Sequence, residues 1–380
     1  MKSPGVSQGS PIRLIRSHNG LRGIAALLVV AYHLQYRVGH LAIEDATTFF
    51  ARSYLMVDLF FVLSGFIMAY VHPVDAGSSL TASEVRSFWA KRVIRIYPLH
   101  LAVLLAMVAF SALLSAYAMV GGPNNDAAWS PRSLTMLGAQ FLLINAWLGA
   151  PNGWNIPSWS ISAEFVAYAL FPLLTLLLSK RPRATIVVMI ALTIAFYLVA
   201  PVRRSLDLTG GVAAPLRCLA GFGLGLVLHA YRERFRRLDD RYLGAAQIAA
   251  LCWIALVMMI PSHDSLAIPA FVLLVGLTWP DRGIVARALG GRRLLWLGEI
   301  SYAVYIMHLL VLSVLSFGWD RSFRRWIPDP SVERSIYIGV AYLAVIVAAG
   351  IAHEWFEKPV RRKLTGMLAT RSRSRDAARR

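Results

Sequence analysis

The stretch Tyr54-Leu55-Met56-Val57-Asp58-Leu59-Phe60-Phe61-Val62-Leu63-Ser64-Gly65-Phe66-Ile67-Met68-Ala69-Tyr70-Val71 decides the fold. A helix crossing a bilayer needs roughly 20 mostly apolar residues, within a range of about 17–25. This run meets that length, and Asp58 is its one charged residue. Similar runs lie outward from it at 20–36, 98–120, 158–178, 182–199, 213–230, 242–260, 266–279, 294–317 and 335–356. The bias extends to the whole chain: of 380 residues, 57% are hydrophobic and 16% charged, and the mean hydropathy is +0.56. A soluble domain is about 45–50% apolar and about a quarter charged. Ordinary soluble folds, disorder, collagen and disulfide scaffolds are therefore excluded. The expected fold is all-α, a polytopic integral membrane helix bundle of about ten transmembrane helices.

Charge orients the bundle. The net charge is +19, from 39 basic and 20 acidic residues. A basic chain can suggest nucleic acid, but basic loops are what orient membrane proteins, and no nucleic-acid partner is expected. The stretch 132–148 is apolar but short, and Gln140 and Asn145 break it. If it does not span and the N-terminus is cytoplasmic, 29 Lys/Arg fall inside and 9 outside, with Arg217 within a span. If it spans, the later basic loops and the tail face out, against the positive-inside rule. Both termini are therefore expected in the cytoplasm, and 132–148 as a buried or re-entrant outer-side helix. Residues 1–19 are expected as a polar cytoplasmic segment with no cleavable signal. Residues 20–363 form the membrane domain. Residues 364–380 read as a disordered basic tail near anionic lipid. Cys218 and Cys252 sit in apolar runs and read as small hydrophobes.

Ionisable groups inside spans are costly and usually functional. The candidates are Arg22, His33, Asp58, Glu164, Arg217, Glu299, His308 and His353. Topology puts His33, Asp58, Glu164, Arg217 and His308, from five helices, at roughly one depth in the outer half. Arg22 and His33 are eleven residues apart, so they share a helix face with a rise of roughly 16 Å. Arg92 and Arg95, at i and i+3, point the same way at the inner start of the third span. Guanidinium pairs bind phosphates bidentately. Each residue also has a plain reading. The arginines can serve as topology anchors, His33 as an interhelical hydrogen-bonding group, and Asp58 or Glu164 as a partner for Arg217. Trp129, Trp147, Trp154, Trp159, Trp319 and Trp326 fall on the outer side, where an aromatic belt explains them, although Trp faces also suit sugar rings. Gly221-Phe222-Gly223-Leu224-Gly225 reads as helix packing. No G-x-S-x-G elbow, H-E-x-x-H motif or Walker loop is present. His40 to Asp45 matches H-x4-D in a short outer loop and reads as chance. No metal is expected, because the histidines lack ligand spacing.

Several motifs, taken in order, resemble one family. They are Ser17-His18-Asn19-Gly20-Leu21-Arg22-Gly23, with ten residues between Arg22 and His33; Val57 to Phe66; Arg92 and Arg95 followed by Tyr97-Pro98; Pro157-Ser158-Trp159-Ser160-Ile161-Ser162-Ala163-Glu164 with Tyr168, Phe171 and Pro172; Gly298-Glu299-Ile300-Ser301-Tyr302 with Tyr305 and His308; and Glu357-Lys358-Pro359. The set resembles the acyltransferase family 3 membrane proteins over nearly the whole chain. Two departures stand out. Asn19 replaces the usual Asp, and Phe165 replaces a second Glu, so Glu164 does any carboxylate work there alone. The variant is similar to members that decorate exopolysaccharides and oligosaccharide signals.

The resemblance implies transfer of an acyl group, usually acetyl, from cytoplasmic acyl-CoA to a hydroxyl of an extracytoplasmic or lipid-linked glycan, in the cytoplasmic (inner) membrane. Acetyl-CoA or another short acyl-CoA would be the donor. Its phosphates would dock at Arg92, Arg95 and Arg22, and the thioester arm would reach toward His33. His33 would act as general base or transient acyl carrier. Glu164 or Asp58 would orient it, by the logic of a base held by a third group. Trp159, Arg217 and His308 would form the acceptor side, with Arg217 stabilising an oxyanion. Two other readings stay open: a transporter of sugars or glycan intermediates, and an acyltransferase acting on lipid or peptide.

Overall fold

Lipid offers a backbone no hydrogen-bond partner, so a spanning segment must satisfy its own peptide groups. Among the described residues, the computed structural model accordingly contains helices and no strand. It describes residues 13–38, 47–73, 80–119, 133–148, 153–199, 205–259 and 263–377. The helices are α1 (Arg16–Val38), α2 (Met56–Val71), α3 (Ala82–Met119), α4 (Leu134–Phe141), α5 (Asn145–Leu148), α6 (Ser158–Lys180), α7 (Pro182–Leu198) and α8 (Ala213–Ala230). They continue with α9 (Arg232–Arg236), α10 (Asp240–Met259), α11 (Ala267–Thr278), α12 (Ile284–Leu289), α13 (Arg292–Ser322), α14 (Pro330–Ala352) and α15 (Lys358–Ala377).

Each of the ten expected spans falls on a helix. Among the described residues, seven helical stretches are long and apolar enough to cross a membrane by themselves, and two more, Pro182–Leu198 and Asp264–Thr278, are shorter and apolar. The tenth, α1, carries Arg22 and His33 and lies inside the bundle. Its Leu21, Ala25, Ala26, Val29, Val30 and Leu34 are buried against neighbours. A helix surrounded by protein can hold charges that lipid would reject. Its first turn is fixed from a distance. The Asp281 carboxylate accepts from the N–H groups of Arg16 (3.1 Å) and Ser17 (2.8 Å), which have no partner within the helix.

Small residues set the crossings. A methyl at Gly65 would lie 2.0 Å from the Phe222 carbonyl oxygen, and one at Gly225 would lie 2.2 Å from that of Val62. Helices α2 and α8 thus touch backbone to backbone, as the Gly-x-Gly-x-Gly run predicts. A methyl at Gly298 would strike the Asn19 carbonyl oxygen at 2.0 Å, so α1 and α13 are equally close.

Residues 133–148 form no long helix; they make the short helices α4 and α5, separated by a turn. Gln140 organises the turn. Its Oε1 accepts from the N–H groups of Trp154 (2.9 Å) and Asn155 (3.1 Å), and its Nε2 donates to the Asn155 carbonyl (2.8 Å). Asn155 Nδ2 in turn donates to the carbonyl of Ile306, at the middle of α13 (3.0 Å). The segment is therefore plugged into the bundle at mid-height. One expectation is corrected at the C-terminus. Helix α15 continues through Ala377 where a disordered tail is expected from residue 364. Its Ala, Leu, Met, Lys and Arg residues are good helix formers.

Candidate functional site

Helices α1, α2, α3, α6 and α13 enclose a cavity of about 340 Å³. It lies toward the end of the bundle that carries the basic loops. Arg22 enters it from α1, and Arg92 and Arg95 enter from α3, whose i, i+3 spacing puts both on one face. The Arg92 guanidinium sits 5.6 Å from the Phe88 ring centroid and 6.0 Å from that of Tyr168, which holds its plane by cation–π contact. Its Nε is buried with no hydrogen-bond partner. Among the described lining residues, Glu164 is the sole carboxylate facing these three guanidinium groups. Glu164 Oε1 accepts from the hydroxyls of Ser64 (2.5 Å) and Tyr168 (2.5 Å). Positive charge is thus in excess, and the cavity suits a polyanionic ligand such as a phosphate ester.

Glu164 is not at the depth of His33, and the plug at 133–157 explains why. Helix α6 begins at Ser158 in mid-bundle, beside Tyr305, whose hydroxyl lies 2.7 Å from that of Ser160. Six residues further along the helix add about 9 Å toward the basic end. Reading α6 as starting at the outer surface misplaces the carboxylate by roughly that distance.

His33 meets His308. The His33 Nδ1 lies 3.1 Å from His308 Nε2 and 3.0 Å from the Val29 carbonyl, and His308 Nδ1 lies 2.6 Å from the Tyr305 carbonyl. For neutral rings, one tautomer assignment satisfies all three contacts. His308 donates from Nδ1 to Tyr305 and accepts at Nε2. His33 donates from Nδ1, which puts its lone pair on Nε2. His308 is fully buried and His33 half-buried. An imidazole whose tautomer is fixed by a second group is the arrangement a general base requires. Neither histidine lines the arginine cavity. Tyr305 does line it, and its ring centroid is 6.0 Å from that of His308 and 5.8 Å from that of Phe60.

Asp58 is not placed to hold His33. Both its oxygens are taken by Arg217, at 2.9 Å from Nε and 2.6 Å from Nη2. Both side chains are completely buried. The Trp159 ring covers the pair, with its centroid 5.2 Å from the guanidinium carbon, and is itself buried. Arg217 and Trp159 are therefore enclosed, with no face toward an acceptor, and the plain reading of Asp58 as the partner of Arg217 describes the pair. Glu299 points out of the bundle and is exposed. His353 Nδ1 pairs with Glu357 (2.7 Å) inside a single π-turn, His353–Glu357, that joins α14 to α15. The H-x4-D match at His40–Asp45 and Trp129 lie outside the described residues.

Sequence reasoning missed Ser64 and Tyr305 as site residues. Ser64 is a hydroxyl within the apolar run 54–71, and Tyr305 is an aromatic hydroxyl well inside its span instead of at a membrane interface, where a belt residue sits. Those two oddities were the available signals.

A family model described as an acyltransferase domain matches residues 15–354, so Glu357-Lys358-Pro359 lies just beyond it. Acyltransferase MdmB of Streptomyces mycarofaciens is 29% identical over 93% of this chain and 94% of its own length. Peptidoglycan O-acetyltransferase OatA of Listeria monocytogenes serovar 1/2a is 20% identical over 92% of this chain and 56% of its own. Nodulation protein 10 of Rhizobium leguminosarum bv. viciae is 23% identical, with 83% and 84% covered. No solved structure matches the chain.

Proposed function

The chain belongs to the acyltransferase-domain family and is a membrane O-acyltransferase. From that premise we propose that it takes an acyl group, acetyl in the first instance, from cytoplasmic acyl-CoA. It transfers that group to a hydroxyl of a glycan presented at the outer side of a bacterial cytoplasmic membrane. The observation that carries the reading is the cavity with Arg22, Arg92 and Arg95 facing one carboxylate. Three converging guanidinium groups match the phosphates of CoA, and the cavity lies at the basic end of the bundle, which the positive-inside rule assigns to the cytoplasm. Both termini share that side in this reading.

His33 acts as base on the acceptor hydroxyl. The Val29 carbonyl, which can only accept, fixes its tautomer, and His308 supports the ring through the 3.1 Å contact to the same nitrogen. Glu164 serves on the donor side, where its partners are Ser64 and Tyr168. Acyl transfer needs no net movement of CoA, so the cations stay on one side of the bundle and the base on the other. The glycan acceptor is supported by relatives such as the peptidoglycan O-acetyltransferase of Listeria monocytogenes.

The test uses sealed vesicles with the cytoplasmic face outward, acetyl-labelled CoA outside and a candidate glycan inside. Label is expected to reach the glycan hydroxyl in wild type. His33→Ala is expected to lower the rate by about 10²–10⁴-fold, the usual contribution of a general base. Arg92→Ala with Arg95→Ala is expected to raise the donor KM by about 10-fold or more, since a hydrogen bond to a charged group contributes roughly 1.5–3 kcal/mol. Full transfer activity in His33→Ala, with normal insertion, would refute the assignment of the base.

A further inference from the structure

Ser64 lies in the middle of α2 and has an unusual partner for a helical hydroxyl. A serine or threonine inside a helix commonly returns its proton to the carbonyl four residues back. Ser115, Thr175, Thr185, Thr278 and Ser335 all do so here, at 2.6–3.0 Å. Ser64 Oγ instead crosses to α6 and donates to Glu164 Oε1 at 2.5 Å. Both residues are half-buried and line the arginine cavity, so the hydroxyl is open to whatever that cavity holds. The direction is set by its neighbour. Gly65 lies against the backbone of Phe222, which fixes the rotation of α2 and leaves Ser64 on the cavity side.

A hydroxyl hydrogen-bonded to a carboxylate, beside guanidinium groups able to stabilise an oxyanion, is the constellation of an activated nucleophile. We propose that Ser64 is acylated by the donor, so that the reaction runs through an acyl-serine on the donor side of the membrane. This rests on the acyl-CoA reading above. In the first half, Ser64 Oγ attacks the thioester carbonyl. The Oγ–C bond forms and the C–S bond breaks. The Oγ proton passes to Glu164 and from there to the departing thiolate, which leaves as CoA thiol. In the second half, the acceptor hydroxyl attacks the serine ester, the Ser64 Oγ–C bond breaks as the new ester bond forms, and the proton of the acceptor hydroxyl passes to Ser64 Oγ. The two halves consume one thioester and one alcohol and release one ester and one thiol, with no other reactant. Ser64, Glu164 and the arginines serve the first half, and the His33–His308 pair serves the second. Both halves act at the Ser64 ester, so the acceptor hydroxyl has to reach the arginine cavity past Tyr305, which lines it and lies 6.0 Å, ring to ring, from His308.

The decisive measurement is exchange without acceptor. A double-displacement enzyme swaps labelled CoA into unlabelled acetyl-CoA when no glycan is present. The full-length protein in lipid nanodiscs is expected to catalyse this exchange. Ser64→Ala is expected to lose it by on the order of 10³-fold. His33→Ala is expected to keep it while failing in transfer to the glycan. Peptide mapping of the acylated protein is expected to place the label on Ser64 and none on Tyr168, the other hydroxyl on Glu164. Ser64→Cys supplies a second nucleophile of similar size. Its acyl adduct, a thioester, is expected to be cleaved by neutral hydroxylamine where the serine ester resists. Exchange lost in His33→Ala and kept in Ser64→Ala would overturn the proposal in favour of an acyl-histidine. Exchange absent in a wild type that transfers acetyl to glycan would also overturn it, as would label on Tyr168. If neither exchange nor transfer occurs from any acyl-CoA, the donor reading itself fails, and Ser64 falls with it.

Discussion

His308 has no carboxylate chemistry to offer, yet it shares the His33 Nδ1–H with the Val29 carbonyl and so helps hold the ring that presents Nε2. Replacing it with Phe removes one of the two acceptors near His33 Nδ1–H, leaves the Val29 carbonyl, and keeps a ring of similar size. The expected result is a fall in kcat on the order of 10²-fold with the donor KM unchanged, measured in the vesicle assay. A KM effect without a kcat effect would instead place His308 in acceptor binding. The Asp58–Arg217 pair behaves differently because no solvent reaches it. Removing one partner leaves an uncompensated buried charge, at a cost of about 3–5 kcal/mol. Arg217→Met is thus expected to lose most folded protein in detergent, as read by size-exclusion and thermal unfolding. Arg217→Met with Asp58→Leu is expected to recover much of it. A double variant no better than the single would mean that the charges themselves are needed.

At the scale of elements, close helix crossings carry the site. Ser64 and Glu164 can meet only if α2 keeps its rotation and height, and the Gly65 and Gly225 contacts hold both. A methyl at either glycine would sit near 2 Å from a backbone oxygen, so α2 and α8 would have to separate. Gly225→Ala is expected to destabilise the bundle by about 1–3 kcal/mol, the usual range for overpacking. Gly339→Ala has nothing within 4 Å of the added carbon and is expected to be neutral or slightly stabilising, since alanine favours helix. Comparing thermal midpoints of the two variants checks this. The plug at 133–157 is the other structural determinant. Gln140→Leu would leave the Trp154 and Asn155 N–H groups without their acceptor in an apolar interior. That loss costs about 1–3 kcal/mol for each buried group. Activity is expected to fall along with stability, because the plug sets where α6 begins.

For the whole molecule, the testable property is orientation. In a chain freed of Cys218 and Cys252, a cysteine at Arg234 is expected to react with a membrane-impermeant maleimide from the cytoplasmic side. One at Arg325 is expected to react from the outside. Both positions are exposed, Arg234 in the short helix α9 and Arg325 in the single turn that follows α13. The opposite pattern would invert the bundle and put the arginine cavity on the side without CoA.

Hydropathy and charge were sufficient for an all-α membrane bundle with a helix at each of the ten apolar runs, because lipid penalises every unpaired peptide group and every exposed charge along the chain itself. Arg22, Arg92 and Arg95 were legible as one group for the same reason: their heights follow from spacing within a helix that starts at a membrane face. Glu164 was not, since its helix starts on a plug whose depth depends on Gln140 and Asn155 finding partners far away in the chain. The partner of His33 was equally hidden. Helices α1 and α13 are separated by most of the sequence, and only their glycine-mediated contact brings His308 within 3.1 Å of His33. Periodicity specifies which face of a helix a residue occupies. Which other face it meets is decided by packing between helices, a long-range property that the local pattern does not encode.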